Sequence, residues 1–575
     1  MRAWNLLLGA AALVVLTGCP GAEAPTPSSE EPAASTATAA GGGGAAAWLN
    51  EATQDFGVDF VHETLAQGEL LFPEMSGAGV ATFDANEDGH MDLVLLAGAA
   101  GPQEEPQHRF YMGGAGGAFR DLTDRAGLGG GLHAQGVAVG DFDNDGHDDL
   151  FISSFTKDRL LRGKGDGTFE DVTAAAGIAL EKWSTSSVFC DVDRDGYLDL
   201  YVAHYVVYDG AKSCTDNSGR PEYCGPDSYD DEIDVLLHNN GDGTFTDITK
   251  QAGIDQATGA GLGVVCEDLN DDGWADIYVA NDGDPNQLWI NQKDGTFYDE
   301  ALILGAGVNA EGLHEAGMGV LAADFDNDAD FDLFLSHLRD ETNTLYKNLG
   351  GGRGFQDESI RFGVALASTP YTGFGTAALD VEQDGDLDLV VINGRVLRGK
   401  TMTEEVPEPW NAYAEPNLFF LNDGTAFRPA TTEAAPLTEL AEVSRGLAIG
   451  DLDADGDLDI VVTNIQGPAR IYRNDAPDKG HWLIVDAFEG DLGRRALGAR
   501  ITVTAGGKSQ VRTIQGAMSY LSSSDPRAHF GLGDVATVDE ITVRWADGTS
   551  QTFPGVEVDQ AIELRRGSPG GEPNK

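Results

Sequence analysis

Positive charge is scarce in this chain. Only 36 Lys and Arg stand against 95 Asp and Glu in 575 residues, a formal net charge of -59. So acidic a surface repels phosphate backbones and anionic headgroups, so no nucleic-acid partner is expected. Cysteine is scarce too: the five are Cys19, Cys190, Cys214, Cys224 and Cys266. No CxxC pair occurs among them, which leaves a thiolate zinc site without support. No apolar run reaches the ~18 residues of a membrane-spanning helix. Catalytic signatures are missing as well, with no GxSxG, HExxH or phosphate loop, and no GxGxxG behind a suitable strand. The 11 histidines are scattered.

Glycine, by contrast, is abundant at 76 residues, close to twice the usual ~7%, which points to many turns between short strands. At the N-terminus, Arg2 precedes an apolar run at 6–16 too short to span a bilayer, so residues 1–18 read as an export signal. The stretch Leu16, Thr17, Gly18, Cys19 resembles the lipobox of bacterial lipoproteins. That resemblance implies cleavage before Cys19, a diacylglycerol on its sulfur, and membrane anchoring, with the outer membrane or cell surface as the expected location. Residues 19–46 are almost wholly Pro, Ala, Ser, Thr, Glu and Gly and are expected to form a disordered tether. In the oxidising compartment this implies, Cys214 and Cys224, flanking a Gly/Pro-containing loop, read as a disulfide. Cys190 and Cys266 sit in apolar strand patterns and read as buried thiols.

One nine-residue pattern occurs seven times, with oxygen-bearing side chains at positions 1, 3, 5 and 9 and, in six of the seven, Gly at position 6. The first four loops carry Asp84, Asn86, Asp88 and Asp92; Asp141, Asp143, Asp145 and Asp149; Asp191, Asp193, Asp195 and Asp199; and Asp268, Asn270, Asp272 and Asp276. The last three carry Asp324, Asp326, Asp328 and Asp332; Asp380, Glu382, Asp384 and Asp388; and Asp451, Asp453, Asp455 and Asp459. Oxygens at 1, 3 and 5 with Gly at 6 form the first half of an EF-hand loop, where hard ligands surround Ca²⁺ and the Gly permits the sharp turn. Here an Asp at position 9 closes a more compact site. Such clusters also form plain turns, but three or four carboxylates within nine residues repel one another unless a cation joins them. Ca²⁺ is therefore the expected cofactor. The fifth loop has Ala329 where the others have Gly, so a left-handed backbone there is strained. The sixth has Glu382 at position 3. These two are the expected weak or empty sites.

Apolar strands flank every loop, as in GVAVG at 136–140 and LYVA at 200–203, so the loop is a hairpin tip. A third strand, a GDGTF-type turn (165–169, 241–245) and a fourth strand follow. Four strands per repeat, with first-Asp spacings of 57, 50, 77, 56, 56 and 71 residues, predict an all-β fold: a seven-bladed β-propeller over 47–476. The seventh repeat lacks a fourth strand, which WLNEAT at 48–53 is expected to supply. Alternating segments at 500–504 and 540–544 predict a small antiparallel β domain over 477–567, and residues 568–575 are expected to be a disordered tail. The repeats resemble FG-GAP (VCBS-type) repeats, the blades of the integrin α-subunit propeller. ALGAR at 496–500, QG at 515–516, HFGLG at 529–533 and VRWADG at 543–548 resemble the ASPIC/UnbV domain. The combination resembles that of bacterial relatives of the cartilage acidic protein family, a resemblance that implies fold and Ca²⁺ but no defined reaction.

The function expected is a calcium-stabilised, extracytoplasmic binding or adhesion module for a protein or glycan ligand. Five residues before each first Asp stand Gly79, Gly136, Ser186, Gly263, Gly319, Gly375 and Gly446, where inner strands converge on the axis. Thirteen residues after it come Ala97, Ser154, His204, Asn281, His337, Asn393 and Asn464, a column placed at the channel mouth opposite the metal loops. His204, Asn281, Asp282, His337, Asn393 and Asn464 are the expected ligand-binding residues, with Trp183, His133 and Arg445 able to join them. Insertions near 205–235 and 394–416 should rise from the same face. Strand-end Asn and Ser that merely make turns are an equal reading for any one residue. The alternative function is a hydrolase or lyase acting on polysaccharide or lipid through His204, His337 and Asp282.

Overall fold

The computed structural model describes residues 47–573 apart from 65–69, 99–107, 130–132, 211, 478, 491, 569 and 571. The export signal, Cys19 and the tether up to 46 lie outside the described residues. Each repeat folds as its pattern dictates. In the second, Ala134–Gly140, Asp149–Ser154, Arg159–Gly163 and Phe169–Asp171 pair in order, all antiparallel, with the Asp-rich loop joining the first two. Seven such four-stranded sheets occur. Their inner strands are Val80–Phe83, Ala134–Gly140, Ser184–Cys190, Gly261–Glu267, Val320–Ala323, Gly373–Leu379 and Ser444–Gly450, each neighbouring the next and the last returning to the first. The sheets are thus the blades of a closed seven-bladed β-propeller. Leu49–Glu51 pairs with Arg470–Asn474 as the outer strand of blade 7, stitching the start of the ring to its end.

The C-terminal domain consists of two four-stranded sheets, and one of them takes its fourth strand, Glu572–Pro573, from the stretch expected to be a disordered tail, pairing it with Ile562 and Glu563. It departs from the antiparallel expectation at one pairing, where His481–Phe488 runs parallel to Gln560–Arg565. Leu483, Ile501, Phe530 and Trp545 from this domain belong to one buried apolar cluster with Val188, Val264 and Trp289 of blades 3 and 4.

A loop of this domain, residues 515–525, fills the axis of the ring. Inner strands of a propeller leave backbone N–H and C=O groups facing the channel, and these need partners. Val320 and Ser519 exchange N–H···O bonds (3.2 and 2.7 Å), and Val137 N–H donates to Leu521 O at 3.1 Å. Ser523 N–H donates to Val80 O, Thr82 N–H to Ser523 O, and Asp525 N–H to Ile449 O. Ser186 Oγ accepts Leu521 N–H at 3.0 Å, and Ser519 Oγ accepts Thr376 N–H at 2.8 Å. The loop thereby bonds the inner strands of six blades. The glycine column makes room for it: a Cβ on Gly79 would lie 2.0 Å from Leu521 O, and one on Gly319 would lie 2.2 Å from Phe374 O of the next blade. No real Cβ survives such contacts with backbone.

Cys214 and Cys224 form a disulfide. Cys190 and Cys266 do as well, which corrects their reading as buried thiols. Cys190 ends its inner strand and Cys266 is the last but one residue of the inner strand of the adjacent blade. Blade packing brings them together, although 76 residues separate them and an apolar strand pattern carries no sign of a partner in the next sheet.

Candidate metal centre and binding face

The seven loops lie at one end of the ring and share one hydrogen-bond pattern. Position 1 uses a carboxylate oxygen to accept the N–H of position 6 at 2.7 to 3.2 Å. The backbone at position 4 is left-handed in all seven, with φ between 57° and 62°. At position 6 it is left-handed again, which suits six glycines and not Ala329, whose φ is 73°. The position-9 Asp is buried in every loop and accepts an N–H from the end of the third strand at 2.7 to 2.9 Å. In five blades that strand ends on an asparagine, Asn239, Asn291, Asn348, Asn422 or Asn474. Its Nδ2 donates to the carbonyl at position 2 of the preceding loop at 2.7 to 3.0 Å. These asparagines tie each loop to its neighbour. Their regular recurrence was the signal for them, overshadowed by the aspartates.

In loops 2, 3, 5 and 7 three carboxylates each place an oxygen within 4.8 Å of the others: Asp141, Asp143 and Asp149; Asp191, Asp193 and Asp195; Asp324, Asp326 and Asp328; Asp451, Asp453 and Asp455. Asp143 Oδ1, Asp191 Oδ1, Asp332 Oδ2, Glu382 Oε2 and Asp453 Oδ1 are buried and without a hydrogen-bond partner. A buried carboxylate oxygen left unpaired is costly, and a donor set made only of hard oxygens fits an oxygen-seeking divalent cation. The residues therefore fit a metal ion.

Arginines of the C-terminal domain cover this face. Arg544 Nη2 donates to Asp268 Oδ2 at 2.5 Å and Arg500 Nη2 to Asp268 O at 2.9 Å. Arg495 Nη1 donates to Asp148 Oδ2 at 2.7 Å, and Arg494 Nη2 to Gly196 O at 3.2 Å. Arg500 and Arg544 lie in the ALGAR and VRWADG segments, but no contact of these four arginines with the loops was expected from sequence. The available signal was compositional, since 10 of the 36 Lys and Arg fall within 477–567.

The opposite face differs from expectation. His204, Asn281, His337, Asn393 and Asn464 are at most 1% exposed, so they do not ring an open mouth. They build the turns behind the second strands. The N–H groups of His204, Asn281, His337 and Asn393 donate to Asp234, Asn286, Asn343 and Asn417. Asn281, Asn393 and Asn464 each donate Nδ2 to a proline carbonyl at 2.8 Å. Asp282 is half-buried and accepts the Tyr205 O–H at 2.5 Å. Arg445 is fully buried, donating to Met75 O and Gly394 O. Trp183 packs edge-on against Phe72, Phe155 and Tyr205, and His133 stacks edge-on against Phe155. The two insertions meet instead: Tyr413 O–H donates to Glu222 at 2.6 Å, and Tyr223 O–H to Glu74 at 3.0 Å. Leu71, Val207, Leu397 and Met402, on the insertions and the segment beside them, remain exposed.

The FG-GAP-like repeat pattern matches residues 84–152, 141–202, 215–279, 268–335 and 324–391. The chain belongs to the FG-GAP-like repeat family. Behind these repeats, the ASPIC and UnbV pattern matches 490–570. Cartilage acidic protein 1 of Mus musculus is 28% identical over 376 residues, covering 61% of this chain and 54% of that protein. The Homo sapiens protein of the same name is 27% identical over 376 residues, covering 61% and 53%. The chain thus spans about half the length of these curated relatives. Among solved structures, one on recognition of non-reducing terminal N-acetylglucosamine by an Agrocybe aegerita lectin is 16% identical with a TM-score of 0.36, covering 70% of this chain and 91% of that chain. PorZ, a surface component of the type-IX secretion system of Porphyromonas gingivalis, is 12% identical with a TM-score of 0.41, covering 84% and 59%.

Burial pushes the closing carboxylates of the FG-GAP loops upward, Asp92 and Asp199 to about 8 and Asp149, Asp276, Asp388 and Asp459 well above their usual range, with N–H donors offsetting part of the effect; at Asp332 the Lys347 ammonium is the main opponent of burial. Without metal, the folded chain holds protons between about pH 4 and 8 that the unfolded chain releases, so stability falls as pH rises through that window. The metal-free protein should therefore melt several degrees lower at pH 8 than at pH 5 in calorimetry with chelator. With divalent metal the order should reverse, because protons and metal compete for the same oxygens. A metal-free midpoint that rises with pH would refute this.

Proposed function

We propose that the protein is a calcium-stabilised extracytoplasmic binding module, held to a membrane by a lipid on Cys19. The unpaired buried oxygens of Asp143, Asp191, Glu382 and Asp453 carry the calcium part of this reading. Mg²⁺ is the poorer fit, since it keeps its waters and demands a small octahedral shell. Coverage of one face by the C-terminal domain and filling of the axis carry the binding part. They leave the insertion-bearing face, with its exposed Leu397 and Met402, as the free end of a rigid scaffold. A protein or glycan ligand is the expected partner. Hydrolysis at a channel mouth has lost its support, because His204 and His337 are buried.

Calcium at a hundredfold excess over Kd stabilises the fold by about 2.7 kcal/mol per site, against a typical margin of ~5–15 kcal/mol. Chelator should lower the melting midpoint steeply. Asp143→Ala and Asp453→Ala should each lower the midpoint in Ca²⁺ more than Asp326→Ala does. A melt indifferent to chelator would sink the reading. For the anchor, Cys19→Ala should move the protein from the membrane to the soluble fraction while leaving its melt in Ca²⁺ unchanged. Wild-type protein recovered unmodified and soluble would contradict it. For the face, deletion of 400–412 or Leu397→Asp should abolish retention on any arrayed glycan or matrix protein that the wild type binds, at an unchanged midpoint. Retention that survives both changes would move the site elsewhere.

A further inference from the structure

In the fifth loop a side chain stands where the ion would. Lys347 lies on the third strand of blade 5, Thr344–Asn348, directly before the residue that bonds the closing Asp332. Its Nζ is 2.8 Å from Asp326 Oδ1, 2.9 Å from Asp328 Oδ2 and 3.2 Å from Asp332 Oδ1. Those are loop positions 3, 5 and 9. The remaining ligand, Asp324, gives its two oxygens to the N–H groups of Asp328 and Ala329 at 3.0 and 2.9 Å. An ammonium has three donors and no acceptor, and here each donor meets a carboxylate. The side chain of Lys347 is only 10% exposed, so the charges meet where water screens them little.

The corresponding strand position holds Met112, Arg162, His238, Ile290, Leu421 and Arg473 in the other blades. Met112, Ile290 and Leu421 bring no charge to loops 1, 4 and 6. Arg162 pairs with Asp143 at 2.7 Å and leaves Asp143 Oδ1 without a partner, as Lys347 leaves Asp332 Oδ2, but it reaches one carboxylate of its loop where Lys347 reaches three. His238 reaches Asp199 at 3.0 Å and Asp193 at 3.5 Å, and Arg473 turns to Asp475 at 2.9 Å. Among the described residues, Lys347 alone engages three carboxylates of one loop. The same loop has lost its position-6 glycine, so two independent departures fall on one site. A divalent ion entering it would meet the ammonium within a few ångströms, and either repulsion or exposure of the displaced lysine would oppose entry.

We propose that the fifth loop takes no metal ion and that the Lys347 ammonium serves as its built-in cation. The inference rests on the calcium reading of the other loops. It predicts that Lys347→Met, which copies blade 1, converts the fifth loop into a calcium site. Crystals of the full chain grown in CaCl2 should show anomalous density in other loops and none in the fifth. The Lys347→Met protein, freed of unbound Ca²⁺ by gel filtration, should carry about one more ion per chain than wild type, with new density in the fifth loop. It should also melt below wild type in chelator and recover in Ca²⁺. Density in the fifth loop of the wild type, with Lys347 swung away, would overturn the proposal while leaving calcium elsewhere intact. A folded variant that gains no ion would also overturn it. Density in no loop would overturn the calcium reading and this inference together. The wild-type map decides the matter even if the variant fails to fold.

Discussion

Crowding of buried carboxylates at one end of a ring is the constraint to which the rest of this molecule answers. Fixed like charges in a poorly hydrated site must be neutralised, protonated or paired, and the structure supplies partners from several directions. Backbone N–H groups point into every loop. Arg162, His238 and Lys347 reach loops 2, 3 and 5 from the third strands, and Arg544 reaches loop 4 from the C-terminal domain. In a chain so poor in basic residues, 10 of the 36 Lys and Arg fall in that domain, and several of its arginines face the acidic loops. Docking is therefore electrostatic as well as apolar. Arg544 bonds Asp268 and Arg494 lies 3.8 Å from Asp191, both position-1 residues that the loops offer to a metal, so in loops 3 and 4 ion content and domain seating act on shared carboxylates.

The axial loop gives the docking its geometry. Open propellers leave the inner strand edges to solvent, whereas here residues 515–525 pair with them. Ser186, the one non-glycine of the inner column, is where the loop takes a side-chain acceptor. The asparagine ties between successive loops run around the rim while this loop runs through the centre. A disturbance at one blade therefore meets rigid neighbours on both sides.

Local periodicity made much of this legible in advance. Repeat spacing, hairpin-tip loops and the missing seventh outer strand all follow from the order of residues within a blade, and Leu49–Glu51 lies where that order requires. Reading failed where a residue's fate depends on a neighbour distant in sequence. The Cys190 to Cys266 bond joins two blades. The column from His204 to Asn464 looked like a rim because polarity was visible and burial was not. Lys347 is an unremarkable strand lysine until the register sets it against Asp326, Asp328 and Asp332. Ala329 was the one sign, within the repeat itself, that its loop differs.

The outer strand of blade 7 has a temporal consequence. Asn50 and Asp475, joined across it, are 425 residues apart. Neither end of the ring can find its mate until nearly the whole polypeptide is present, and the axial loop arrives later still. A nascent chain thus passes through a long interval with an open sheet edge, the kind of surface that recruits other chains, and its closure depends on contacts of very high sequence separation, which form slowly. A fragment that stops before residue 470 has no closing strand to offer, however perfect its six finished blades.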